Sequence, residues 1–357
     1  MKTYQLILAT ALVALSACTK EEIVNNGSTL DNEIGFRAVT SMNTKANDAI
    51  ISGNTYDEEN SFRLWGWQSQ KGDFSEFIDD DESNFMTNLK IEYCDGPQGR
   101  SNAWRNDDHY YYWPFTGKLS FLAIHPYEIA SATTGWDETN DVPQAAISDY
   151  TITPGSNETV DLMFATNEGT RMTSALPMVF NHALSQIEVQ VKTDKDYSAD
   201  VEFDVLGITF HNIDLSGDVT YANKTIEWTD NTDQDDEWVY YNTKKYSEQY
   251  AENNVPVYVS NAYKVYGAAK VNIPQQESVH DQPATEAIIE GTYITVEYTM
   301  KQYNSAMITG TVNIAKPQEW LAGKRYVYTI NFRLNEILFN PSVTDWVEVG
   351  VETINIY

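Results

Sequence analysis

The chain has 357 residues, a net charge of -29 and an aromatic fraction of 13%, with 23 tyrosines. A chain this acidic repels nucleic-acid phosphates and anionic lipid, which excludes DNA, RNA and basic-patch membrane partners. The length suits two domains, and abundant Tyr and Thr suit half-buried strands, so an all-β protein is expected.

Residues 1–17 read as a leader outside the fold. Lys2 gives the positive start, and Leu6 to Leu15 is an apolar run too short to cross a bilayer. Leu15-Ser16-Ala17-Cys18 then places small residues before a Cys, the pattern of a bacterial lipoprotein box in which the thiol of Cys18 receives lipid. Residues 18–30 read as a polar tether. With Cys18 so committed, Cys94 has no partner for an intramolecular disulfide and is expected to be a buried, unreactive thiol.

The first folded half is expected over 31–175. A strand begins at Glu33, with Ile34, Phe36 and Ala38 alternating toward one face. Phe62 to Gln68, Leu89 to Cys94, Tyr110 to Trp113 and Lys118 to His125 read as further strands, the last two closed by Pro114 and Pro126. Ser75 to Asn88 reads as loop. So does Ala130 to Gly155, apart from one strand near Tyr150 to Ile152. Residues 166–176 are polar and mark the boundary.

The second half, 176–357, opens on Phe180-Asn181-His182-Ala183-Leu184-Ser185, leading into a strand with Ile187, Val189 and Val191 on one face. His182 reads as a hydrogen-bonded structural residue. Val201 to Phe210 follows, then a hairpin turning at Asn223, then strands at Trp238 to Tyr241, Val255 to Val259 and Ala269 to Ile273. Tyr293 to Met300 is expected to pair with Met307 to Ile314. Tyr326 to Leu334 is a long strand, and Ile337 to Phe339 and Trp346 to Ile356 form a last pair. Many short strands without an amphipathic helix indicate tandem β-sandwiches.

Catalytic patterns are missing. There is no Gly-x-Ser-x-Gly elbow, no His-Glu-x-x-His pair and no Gly-rich phosphate loop, and the five His are scattered. The chain is therefore read as a non-enzyme without a cofactor. Asp233, Asp235 and Asp236 are the best acidic cluster for calcium, but the EF-hand pattern fails and a solvated loop is the simpler reading. Trp104 and Trp136 lie in polar, loop-like surroundings and are the candidates for exposed rings that stack on sugars.

Several segments together resemble the fimbrillin family, the type V pilus subunits and fimbrillin-like lipoproteins of Bacteroidales. They are the lipobox with Cys18-Thr19-Lys20-Glu21-Glu22, Ile34-Gly35-Phe36 followed by Thr44-Lys45-Ala46, and Tyr112-Trp113-Pro114 before Leu119-Ser120-Phe121-Leu122-Ala123 and Pro126. Phe180 to Ile187, Trp320 with Gly323-Lys324-Arg325-Tyr326, and Trp346 complete the set. The resemblance implies two transthyretin-like sandwiches and a surface-exposed lipoprotein of the outer membrane, since Thr19 to Glu22 resembles a surface-export signal. It implies a structural or adhesive pilus subunit assembled without catalysis. A trypsin-like protease cuts after Lys45 or Arg37, the first strand with Ile34 and Phe36 leaves, and a strand from a neighbouring subunit replaces it. Lys45 stands where the family usually shows Arg. The donor candidate is Val343 to Tyr357. The alternative is a surface lipoprotein that never polymerises and binds glycan or host matrix.

Overall fold

Apolar alternation with a period of two governs the folded chain. The computed structural model describes residues 32–40, 56–69, 84–94, 102–129, 132–152, 161–193, 201–230, 236–242, 264–265, 270–272, 292–302, 306–315, 320–332 and 337–345. Among the described residues every regular element is a strand, and the protein is all-β. The first nine are β1 (Phe36–Thr40), β2 (Ser61–Ser69), β3 (Asn84–Cys94), β4 (Ala103–Arg105), β5 (Lys118–His125), β6 (Ala132–Asp137), β7 (Val142–Thr151), β8 (Met163–Gly169) and β9 (Leu176–His182). They are followed by β10 (Ser185–Thr193), β11 (Val201–Ile213), β12 (Ser216–Ala222), β13 (Thr225–Asp230), β14 (Asp236–Asn242), β15 (Lys264–Val265), β16 (Lys270–Asn272), β17 (Tyr293–Gln302), β18 (Ile308–Ala315), β19 (Lys324–Phe332) and β20 (Ile337–Asp345).

Seven of these strands close on themselves in the order β1-β4-β3-β2-β5-β8-β9. Every pairing in the ring is antiparallel except β1 with β9, which runs parallel and makes the closure. Phe36, Phe62, Leu64, Phe121, Ala123, Met163, Met178 and Phe180 fill its interior. The opposite faces of β2, β5 and β8 are also apolar. Trp65, Trp67, Leu122, Ile124 and Phe164 belong to a second core shared with later strands.

A four-stranded sheet, β13-β12-β7-β6, meets that outer face. Phe164 stacks on Tyr221 with ring centroids 5.0 Å apart, and the Tyr221 hydroxyl lies 3.1 Å from Thr166 Oγ1. Trp228 Nε1 donates to the carbonyl of Ala183 at 2.8 Å. The remaining sheets, β15-β10-β19-β20 (with β16 also on β10) and β14-β11-β17-β18, share one core. Ile187, Val189 and Val191 are fully buried there, as their alternation requires. Phe210 packs 5.5 Å from Trp320, and the Tyr240 hydroxyl accepts from Val189 N at 3.2 Å. The β12–β13 hairpin turns at Asn223 and Lys224, both with positive φ (49° and 62°), the geometry that favours Asn in a two-residue turn. The expected pairing of β17 with β18 is present.

Four expectations are corrected. The expected loop from Ala130 to Gly155 is mostly the β6–β7 hairpin; small Ala145 and Ala146 blur the alternation that would have shown it. The end of the expected loop from Ser75 to Asn88 is the start of β3. Tyr110 to Pro114 is not a strand: only Tyr112 bridges, to Glu33, and its ring is 50% exposed. β9, which follows the boundary expected between 175 and 176, pairs with β1 and β8 inside the closed sheet. Cys94 is half-buried rather than buried, and burial pushes its thiol up to about 11, which keeps it protonated.

The Phe164–Tyr221 stack joins the closed sheet to the sheet beside it. Phe164→Ala is expected to cost about 3–5 kcal/mol in urea unfolding, the range for emptying a buried aromatic site.

Candidate functional site

The parallel seam at β1 joins the two neighbouring strands of the closed sheet that lie farthest apart in sequence. β1 lies along β9 from Phe36 opposite Leu176 to Thr40 opposite Phe180, and along β4 at Phe36 opposite Trp104. Ile34, Phe36 and Ala38 are 3%, 1% and 3% exposed. The Phe36 ring sits edge-on to Phe121 at 5.1 Å and to Phe62 at 6.5 Å. The chain ahead of β1 is tied by Ile34 N donating to Tyr111 O (2.7 Å), Trp113 N to Asn32 O (2.8 Å) and Leu176 N to Gly35 O (2.8 Å).

One charge pair belongs to this seam. Glu33 Oε1 lies 3.2 Å from Arg105 Nε, with side chains 0% and 1% exposed. A buried pair of this kind gives little net stability when intact but is costly to break on one side. Nearby, Arg171 donates from Nε to Asn32 Oδ1 at 2.7 Å and covers the ring of Phe115, which is 88% exposed.

Of the predicted site residues, Ile34 and Phe36 are brought together in the core. Arg37 is half-buried within β1, opposite Pro177. A protease that needs an extended, accessible substrate cannot engage Arg37 while β1 is paired. Cys18, Lys45, Asp233 and Asp235 lie outside the described residues, as does the side chain of Asp236. Trp104 corrects an expectation: it is 7% exposed, packed on Tyr93 at 4.6 Å and Tyr56 at 5.8 Å, because β4 turns it into the closed sheet. Trp136 is half-buried against Trp67 at 5.8 Å and donates to Asp141 Oδ1. The two rings belong to different cores and form no common platform.

Three buried polar contacts escaped the sequence reading: Glu33 with Arg105, His182 Nδ1 with Asp161 Oδ2 at 2.6 Å, and the Tyr56 hydroxyl with His125 Nδ1 at 2.6 Å. Each joins residues far apart in the chain, and no local pattern announces such a pair. Tyr56 also stacks on Phe180 at 5.0 Å, so it braces β9 from inside. Burial lowers His125 from 6.5 to about 4, partly offset by the Ser61 carbonyl and the Asp161 charge.

A family model described as fimbrillin-like matches residues 44–346. The chain belongs to the fimbrillin-like family. It is similar to the fimbrium subunit Fim1C of Phocaeicola vulgatus, 23% identical over 255 residues, a match spanning 65% of this chain. That match takes in 61% of the curated relative's own length, less than two thirds. The fold of this fimbrillin-like chain is similar to the crystal structure of a fimbrial protein from Bacteroides vulgatus, with a TM-score of 0.59 at 16% identity, over 88% of this chain and 99% of that one.

Because His125 is neutral when folded and protonates more readily when unfolded, its contribution is complete above pH 6.5 and declines as pH falls toward 4. The loss should approach about 3 kcal/mol across that window. Urea midpoints measured from pH 7 to 4 should fall less steeply for His125→Gln than for the native chain.

Proposed function

We propose that this protein is a structural or adhesive subunit of a cell-surface pilus, built by strand replacement at β1. The observation that carries the reading is the seam itself. β1 precedes the first residue matched by the family model, places Ile34, Phe36 and Ala38 in one core, and closes the ring through main-chain hydrogen bonds. Burying Ile34 and Phe36 contributes about 2 kcal/mol each, so their departure leaves an apolar groove with unpaired strand edges. A strand from a neighbouring subunit restores both terms at once.

In this reading residues 1–17 are a lipoprotein signal peptide, and Cys18 carries lipid that holds the precursor at the outer face of the outer membrane. Residues 18–30 are the tether. Cleavage falls after Lys45, because Arg37 is held inside a paired strand. The incoming strand is drawn from residues 346–357 of another subunit, because the start of the expected donor, Val343 to Asp345, is paired with β19 in its own chain. Two tandem transthyretin-like sandwiches divide after β9 rather than before it, at Ala183-Leu184. The assembled fimbria carries the adhesive surface toward a host protein or glycan. The Fim1C similarity supports the pilus assignment, and the buried position of Trp104 weighs against the glycan-binding alternative.

Intact-mass measurement on subunits taken from surface polymers should give an N-terminus at Ala46. Polymerised subunits that retain Ile34 and Phe36 would contradict strand replacement. Cys18→Ala should abolish incorporation of labelled lipid and release the precursor from the membrane fraction; persistent labelling would refute the anchor.

A further inference from the structure

An edge strand offers a row of main-chain N–H and C=O groups to any chain that approaches, and proteins blunt such edges with charge, proline, irregular pairing or shortness. Most sheet edges among the described residues are blunted in this way. β13 carries Glu227 and Asp230, and β6 carries Asp137. β14 carries Asp236 and Glu237 and shifts register against β11. β20 contains Pro341, and β15 and β16 are two and three residues long, each opening with a lysine.

β18 is the exception. It reads Ile308-Thr309-Gly310-Thr311-Val312-Asn313-Ile314-Ala315, without a charge or a proline. Its pairing with β17 runs unbroken from Met300 opposite Ile308 to Tyr293 opposite Ala315. Among the described residues it ends its sheet. Thr309, Thr311 and Asn313 are exposed on one face, and Met307 and Ile308 are 62% and 53% exposed where the strand begins. Val312 and Ile314 pack against the core on the other face. There the Tyr298 ring lies over Gly310 and leaves no room for a side chain, so the apolar face extends across the edge strand.

We propose that β18 pairs antiparallel with β18 of a second copy of this chain, about a two-fold axis at Thr311. Copies carrying a net charge of -29 repel one another, so the surfaces that meet must be neutral. β18 against β18 meets that condition along its whole length. The one carboxylate of β17, Glu297, lies opposite Thr311. In the paired sheets the two Glu297 stand three strand spacings apart, about 14 Å, beyond the screening length of about 8 Å.

Registers that keep the two pleats in phase differ by steps that preserve the face of each residue. Centring on Thr311 pairs residues 308–314, sets Thr309 against Asn313 and covers each exposed Ile308 with Ile314 of the other copy. Centring on Val312 sets Lys316 against Ile308, and centring on Gly310 brings two glycines together. One strand pair buries less than the roughly 1,600 Å² of a standard interface, so the association is reversible and depends on concentration.

The test uses the uncleaved full chain in a Cys18→Ala, Cys94→Ser background, in which β1 stays in place and strand replacement plays no part. With Thr311→Cys the facing Cα atoms are about 4.5–5.5 Å apart, within disulfide range. Oxidation at high protein concentration should link Thr311→Cys chains to one another far more than Thr133→Cys chains, whose cysteine is exposed on β6. A mixture of Thr309→Cys and Asn313→Cys chains should link more than either alone. In sedimentation equilibrium the native chain should associate reversibly. Thr311→Lys, which can pair with Glu297 inside its own chain, should weaken that association about fivefold or more by facing its own copy. Equal linking of Thr311→Cys and Thr133→Cys, or a native chain that stays monomeric at every concentration, would overturn the proposal. Association that Thr311→Lys leaves unchanged would place the contact elsewhere and overturn it as well.

Discussion

Everything distinctive about this molecule depends on one seam, the parallel pairing of β1 with β9. Antiparallel strands can be joined by a tight turn, but a parallel partner must arrive from elsewhere in the chain. Here that partner is the first strand, separated from β9 by more than a hundred residues. Its apolar residues complete a core made mostly by other strands, so the strand contributes to closure without being part of the continuous body it closes. A strand placed in this way can be exchanged for another with the same alternation, because main-chain hydrogen bonds carry no memory of which chain supplies them.

The division of the apolar interior into two cores sharpens that point. Ile34, Phe36 and Ala38 belong to the core inside the closed sheet, together with Phe62, Phe121 and Phe180. The other core runs from Trp67 and Phe164 through Tyr221 to Phe210 and Trp320, and no residue of β1 contributes to it. Loss of β1 therefore opens one core and leaves the second intact. The second core also reaches the outer faces of β2, β5 and β8, which packs these strands independently of β1.

Much of the fold was legible in the sequence where side-chain alternation was strong. Ile187, Val189 and Val191 in β10, the hairpin turning at Asn223, and the β17–β18 pair were all placed from local pattern. β1 was legible for the same reason, since Ile34, Phe36 and Ala38 alternate cleanly. Local pattern failed where packing is two-sided or small. The β6–β7 hairpin was hidden by its alanines, and Trp104 looked exposed because its polar neighbours conceal a three-residue strand. The charge pair of Glu33 and Arg105 spans more than seventy residues, and His182 finds Asp161 across a chain reversal. No sequence period encodes such a contact; it exists only once the ring has closed. His182 itself is the last residue of β9.

The central claim is that a strand from one subunit takes the place of β1 in the next. Disulfide trapping tests it most directly. In a Cys94→Ser background, Leu176→Cys is combined with Val349→Cys, Val351→Cys or Thr353→Cys, and surface polymers are oxidised. Leu176 is the β9 partner of Phe36, within the Cα separation a disulfide allows between adjacent strands. The account predicts a ladder of covalent multimers that collapses on reduction. Polymers that assemble normally yet show no covalent link at any of the three positions would contradict it.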